Sequence, residues 1–190
     1  MVQCQGVIKF GKERMAKEIY IPCLLKLFRQ YGYDGATLSK ISTATGLGKA
    51  SLYHHFPGGK DDMVKSVLDY LQQWLLTYIL PPLRQQGDCQ DKLRLMGDRL
   101  LELYEGGAQP CLFAILLLGS TRDLFHDQVK ALFLVWIEEM TKVFMETGID
   151  ELLAKEKAED IAISIQGSLI LSQALDSSFP FQRVIKQLSI

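Results

Sequence analysis

From Lys12 to Tyr31 the apolar side chains Met15, Ala16, Ile19, Leu24, Leu27, Phe28 and Tyr31 keep one stripe at helical spacing, with Pro22 inside it. Proline has no amide hydrogen and its ring collides with the carbonyl of Glu18, so an unbroken helix loses about 3 kcal/mol. The pattern predicts a kink near Ile21, or a helix that restarts with Pro22 in its first position. Gly32 and Gly35 then bracket a turn, and Thr37 stands where an N-cap belongs. Leu38, Ile41 and Ala44 keep helical spacing, Gly46 breaks it, and Leu47, Leu52 and Phe56 resume it. Two short helices joined by a tight turn are expected, with Leu52 and Phe56 in the core.

The rest of the chain repeats the helical period in longer stretches. A helix starting at Pro57–Lys60 is expected to run to Leu80, its apolar face including Met63, Val67, Leu71, Trp74 and Tyr78, and to end at Pro81-Pro82. Another spans Asp91 to Glu105, closed by Gly106-Gly107. The run Cys111 to Leu118 is apolar all round, which predicts a short helix buried in the middle of its domain. Leu124 to Met145 turns Phe125, Val129, Leu132, Phe133, Trp136, Ile137, Met140 and Phe144 inward, and Gly148 stops it. A last long helix runs from Ala154 to Leu175. It mixes small and aliphatic residues on more than one face, so Ile165, Ser168, Leu169 and Ser172 are expected at an interface with a second subunit. Phe179 to Leu188 forms a closing helix that joins this interface. The class is all-α, divided within the long helix into residues 1–66 and 67–190.

Charge sharpens that division. Residues 1–65 hold 10 Lys/Arg against 5 Asp/Glu, whereas residues 66–190 hold 11 against 17. A basic head on an acidic body suits DNA at one end only. Residues 1–11 carry no period; Lys9 there and Lys12 just after it can touch phosphate, or the segment is a frayed terminus. Cys4, Cys23, Cys89 and Cys111 have no metal or disulfide spacing, and His54 and His55 are adjacent rather than metal-spaced. No metal or cofactor is expected. The N-terminus lacks the apolar core of a secretion signal, and no apolar run approaches the ~20 residues that span a bilayer. A reduced, cytoplasmic protein without a membrane partner follows.

The paired short helices have the form of a helix-turn-helix, whose second helix lies in a DNA major groove. Lys49, Ser51, Tyr53 and His54 project outward and can each donate a hydrogen bond to phosphate or a base edge. Lys49 suits guanine O6 and N7, and Ala50 can pack on a thymine methyl. The segments LFRQYGYDGATLSKIS, Leu27 to Ser42, and GLGKASLYHHFPGGKDDMV, Gly46 to Val64, resemble the TetR family of bacterial transcriptional regulators. The resemblance implies that Thr37, Tyr53 and Lys60 meet phosphates. Three positions depart from the family pattern: Pro22, Gly48 in place of Ser or Thr, and Ala50 in place of Gly.

Family resemblance further implies a homodimeric, ligand-responsive regulator, most often a repressor, with a small-molecule effector pocket in the body. Trp74, Tyr78, Met96, Tyr104, Phe113, His126, Phe133 and Trp136 are the aromatic and polar residues available to line it, for an apolar or amphipathic effector. Plain core is the alternative for each of them. Two other functions compete: a DNA-binding architectural protein without a ligand, and a helical-bundle enzyme using Cys111 and His126. The second lacks a third orienting residue and a phosphate loop, so no catalytic activity is expected. Cys111, at a helix start, is either a thiol sensor or a buried inert cysteine.

Overall fold

The structure is a computed structural model that describes residues 17–188. Lys9, Lys12, Met15, Ala16 and Cys4 lie outside the described residues. Ten α-helices occur among the described residues, and no strand. The chain separates into two compact units, Met1–Leu71 with Ile115–His126 and Gln72–Ala114 with Asp127–Ile190.

In the first unit a 3₁₀ turn, Glu18–Tyr20, leads straight into α1, Ile21–Gly35, with Pro22 in its first turn. The restart resolves the proline conflict, because the first amides of a helix have no carbonyl to meet. Ile19 falls on the tighter 3₁₀ turn and is 57% exposed, not part of the stripe, and Tyr31 is likewise exposed. Gly32, at φ 65, breaks α1 one turn before its end. A β-carbon there would have to adopt a left-handed backbone against Ile115 Cγ2 at 3.5 Å.

Helix α2, Leu38–Thr45, is capped by Thr37, whose Oγ1 accepts from the Lys40 amide at 3.3 Å. Gly46 ends it in the left-handed conformation at φ 73. Ala44 is exposed rather than apolar core, since Ile41 already fills the inward position of this short helix. Helix α3, Lys49–His55, begins at Gly48, which supplies no side-chain cap. The turn between them is fastened from α2 instead: Ser42 Oγ donates to the Leu47 carbonyl at 2.6 Å, and Thr45 Oγ1 accepts from the Leu47 amide at 3.3 Å. Helices this short are unstable alone. Leu24, Phe28, Ile41, Leu52, Phe56 and Val64, all at most 1% exposed, hold them together. Each such side chain contributes roughly 1.5–3 kcal/mol on burial.

Helix α4, Gly59–Trp74, does not stop at the prolines. It passes through a π turn, Leu75–Ile79, into α5, Leu80–Arg84, with Pro81 and Pro82 in the first turn of α5. The Leu80 amide reaches back to the Leu75 carbonyl, and this widened turn resets the ladder so that the prolines take positions where a missing amide hydrogen costs little.

In the second unit, Asp88 caps α6, Cys89–Leu103, accepting from the Asp91 amide at 2.8 Å. Helix α7, Leu112–Leu118, whose residues from Ile115 on belong to the first unit, buries Leu112 and Leu116 only; Leu118 is 85% exposed, so the run is not enclosed all round. With Leu112 and Leu116 one turn apart on the inward face, Leu118 points the other way. Helix α8, Arg122–Met145, buries Phe125, Val129, Leu132, Trp136, Met140 and Val143, and leaves Phe133, Ile137 and Phe144 half-buried. Helix α9, Glu151–Ala174, is capped by Asp150 and packs against α10, Phe179–Gln187.

The expected subunit interface requires correction. Ile165, Ser168, Leu169 and Ser172 are at most 6% exposed and belong to this unit's own core. Ser172 Oγ accepts from the Phe181 amide at 3.2 Å, so this face of α9 is already covered by α10. Exposed apolar positions in the C-terminal half of α9 form a different stripe, Ile163, Gly167, Ile170, Leu171 and Ala174, at helical spacing, continued by Leu175 just past the helix end.

Candidate nucleic-acid interface

Thr37 at the start of α2 and Lys49, Ala50, Ser51, Tyr53 and His54 on α3 are all exposed, and all lie in the first unit. The arrangement follows from α3's spacing: Leu52 and Phe56 take the inward positions, leaving 49, 50, 51, 53 and 54 outside. Tyr53 is 42% exposed, with one ring edge beside Gly59, where a β-carbon would sit 3.5 Å from Cε1. Its hydroxyl is thus carried on a ring steadied from one side. His55 differs from His54: it is half-buried and its ring lies 5.2 Å from that of Tyr20. The exposed α3 set contains no carboxylate, and Lys49 and Lys60 place positive charge at the starts of α3 and α4.

Lys60 is held more firmly than its sequence position indicates. Its ammonium sits 4.1 Å over the ring of Tyr33, and the Tyr33 hydroxyl donates to Asp61. Tyr33 also stands 6.3 Å, ring to ring, from Phe125. Beside it, Ser120 Oγ donates to Asp34 Oδ2 at 2.7 Å. Residues 115–126 therefore strap the last turn of α1, beyond the break at Gly32, within the same compact unit. Sequence reasoning passed over Tyr33, Asp61, Asp34 and Ser120. The signal available to it was the aromatic of YGYDG and the acidic pair following Lys60, but their pairing spans 28 residues.

A groove of about 790 Å³ opens in the same unit between α1 and α2, lined by Lys26, Gln30 and Tyr31 on one side and Ser39, Lys40 and Thr43 on the other. Lys40 is committed locally, donating to the Gly35 carbonyl at 3.1 Å and lying 3.8 Å over the Tyr31 ring.

Of the eight residues expected to line an effector pocket, seven lie in the second unit and His126 in the first. Trp74, Met96, Tyr104 and Trp136 are buried, whereas Tyr78, Phe113 and Phe133 are half-buried. They associate in separate groups. Trp74 stacks on Tyr78 with centroids 5.8 Å apart. Phe133 bridges Phe113 and Trp136, at 5.8 and 6.2 Å, and Trp136 Nε1 donates to Met96 Sδ at 3.2 Å. Tyr104 meets Phe181 edge-on and directs its hydroxyl to Cys111 Sγ at 3.5 Å. Cys111 is 4% exposed and thus shielded from solvent. It also belongs to a different compact unit from His126.

Comparison with known proteins adds to this geometry. Residues 24–67 match the profile of the bacterial regulatory proteins of the tetR family, and residues 91–187 match that of the LmrA/YxaF-like transcriptional regulator C-terminal domain. The chain is 26% identical over 177 residues to the HTH-type transcriptional regulator LmrA of Bacillus subtilis, covering 89% of this chain and 92% of that one. A TetR transcriptional regulator from Legionella pneumophila superposes with a TM-score of 0.79 at 21% identity, over 94% of this chain and 97% of that one. The TetR family regulator CifR, solved with a 26-bp operator duplex, superposes with a TM-score of 0.69 at 17% identity, over 94% and 98% of the two chains. Among the described residues no helix is long and apolar enough to cross a membrane.

Proposed function

Since this chain belongs to the TetR family of bacterial regulatory proteins and is a transcriptional regulator, we propose that it binds a palindromic operator as a homodimer, represses from it, and is released by a small apolar or amphipathic effector. The observation that carries the DNA-facing part is the exposed set Lys49, Ala50, Ser51, Tyr53 and His54 on α3, flanked by Thr37 at the α2 cap and by Lys60. Lys49 and Ala50 read base edges in this reading; Thr37, Tyr53 and Lys60 take phosphates. Residues 1–66 are the DNA-binding domain and 67–190 the effector and dimerisation domain. A cytoplasmic site of action belongs to the same reading, because the partner is DNA.

One recognition helix reads only a few base pairs, so helix-turn-helix proteins pair their heads on half-sites about 34–36 Å apart. The exposed stripe of α9 through Ile163, Ile170, Leu171 and Leu175 supports a second copy as its cover, since a row of large apolar side chains at 45–68% exposure is unusual for a surface helix. The half-buried Phe113 and Phe133, packed beside Trp136, supply apolar walls for an effector. An effector that prefers the body when the heads are wrongly spaced weakens operator binding by reciprocal coupling.

Selection from a random duplex library with the purified protein tests this. Enrichment of a palindrome with half-sites one helical turn apart is expected. Retention without enrichment, vanishing as salt rises, would leave only non-specific binding. On the selected operator, Lys49→Ala should relax preference at particular positions. Lys60→Ala should weaken all sequences alike and lower the salt slope by about 1.

A further inference from the structure

Lys60 lies in the first turn of α4, where the helix dipole disfavours a cation. Its ammonium is placed 4.1 Å over the centroid of the Tyr33 ring, whose negative face compensates. The ring itself is not free to turn. Its hydroxyl is held by Asp61, the residue after Lys60, and Phe125 stands 6.3 Å away. Asp61 thus satisfies two needs, giving the α4 N-terminus its favoured negative charge and fixing the platform on which its neighbour rests. A lysine has about 2 kcal/mol of rotamer entropy, much of which is lost when a free side chain settles on a phosphate. A lysine already seated loses less.

We propose that Tyr33 is a positioning residue for operator binding: its ring, fixed by Asp61, holds the Lys60 ammonium in place before the phosphate arrives. The proposal rests on the phosphate role given to Lys60 above. Tyr33 does not touch DNA in this arrangement; it acts through Lys60.

The test uses the full chain, the selected operator and two readouts. In the free protein, the ε-methylene protons of Lys60 should resonate upfield through the ring current of Tyr33, and Tyr33→Leu should abolish that shift. In operator binding, Tyr33→Leu should weaken affinity about two- to fivefold, the range of an exposed cation–π contact, and leave the salt slope unchanged because the charge remains. Tyr33→Leu combined with Lys60→Ala should bind like Lys60→Ala alone. Tyr33→Phe, which keeps the ring and loses only the bond to Asp61, should retain the shift and fall between the parent and the leucine variant; it also serves if the leucine variant fails to fold. An unshifted Lys60 signal in the parent overturns the proposal, as does a double variant weaker than Lys60→Ala by the full factor of Tyr33→Leu. Parent-like operator binding by Lys60→Ala overturns the phosphate role itself, and with it the proposal, while the free-protein spectrum still reports whether the contact exists.

Discussion

Burial more than any neighbour pushes the Tyr33 phenol up to about 12, and the Asp61 hydrogen bond and the charges of Asp61 and Asp34 add to it. A folded-state pKa raised above the unfolded value, about 10, makes a stabilising contribution that is complete below pH ~10 and is lost as pH rises through the folded value. Tyr33 should therefore ionise late in a titration followed at the phenolate absorption band, and Tyr33→Phe should remove that late step. Gly48 offers a second single-residue test. It caps α3 without a side-chain acceptor, so Gly48→Ser should stabilise the protein by a few tenths of a kcal/mol in denaturant melts. The outward residues of α3 are legible in sequence, because Leu52 and Phe56 fix which way the helix faces. The seat of Lys60 is not, because ring-to-cation contact across the turn leaves no periodic trace.

At the level of the element, helices were legible wherever a single apolar face set the period, as in α1 and α6. They were misread where hydrogen bonding changes register or where two faces look alike. The π turn Leu75–Ile79 carries α4 past a point where Pro81-Pro82 indicate a stop. In α9 small and aliphatic residues occupy both faces, and composition alone cannot say which is inward; α10 packs on the face of Ser172, where Ser168 and Leu169 are buried too. Ile163→Lys and Ile170→Lys consequently test the outer stripe cleanly. Both side chains are exposed within the chain, so helicity should be unchanged, while sedimentation at micromolar concentration should show the mass falling to that of one chain. The closing helix presses hard on the loop after α6: a β-carbon at Gly107, already at φ 105, would lie 2.9 Å from Phe181 Cβ. Gly107→Ala should cost more than the ~1 kcal/mol typical of a single substitution, read as a drop in thermal midpoint.

For the whole molecule, the split of charge between residues 1–65 and 66–190 was visible in sequence, as was the all-helical class. A compact first unit assembled from two separated stretches was not, since only contacts of long sequence separation such as Ser120 with Asp34 create it. Phe125, 1% exposed, should be as necessary to that unit as residues adjacent in sequence. Phe125→Ala should lose about 3–5 kcal/mol of stability and speed hydrogen exchange at the buried amides of α1 and α2. This discontinuity also sets an order in time. A ribosome adding ~5–20 residues per second releases Ser120 and Phe125 several seconds after Leu71. During that interval the nascent DNA-binding end has every helix it needs but no strap across the turn at Asp34, so the part of the protein made first is finished only when a much later piece of chain has emerged.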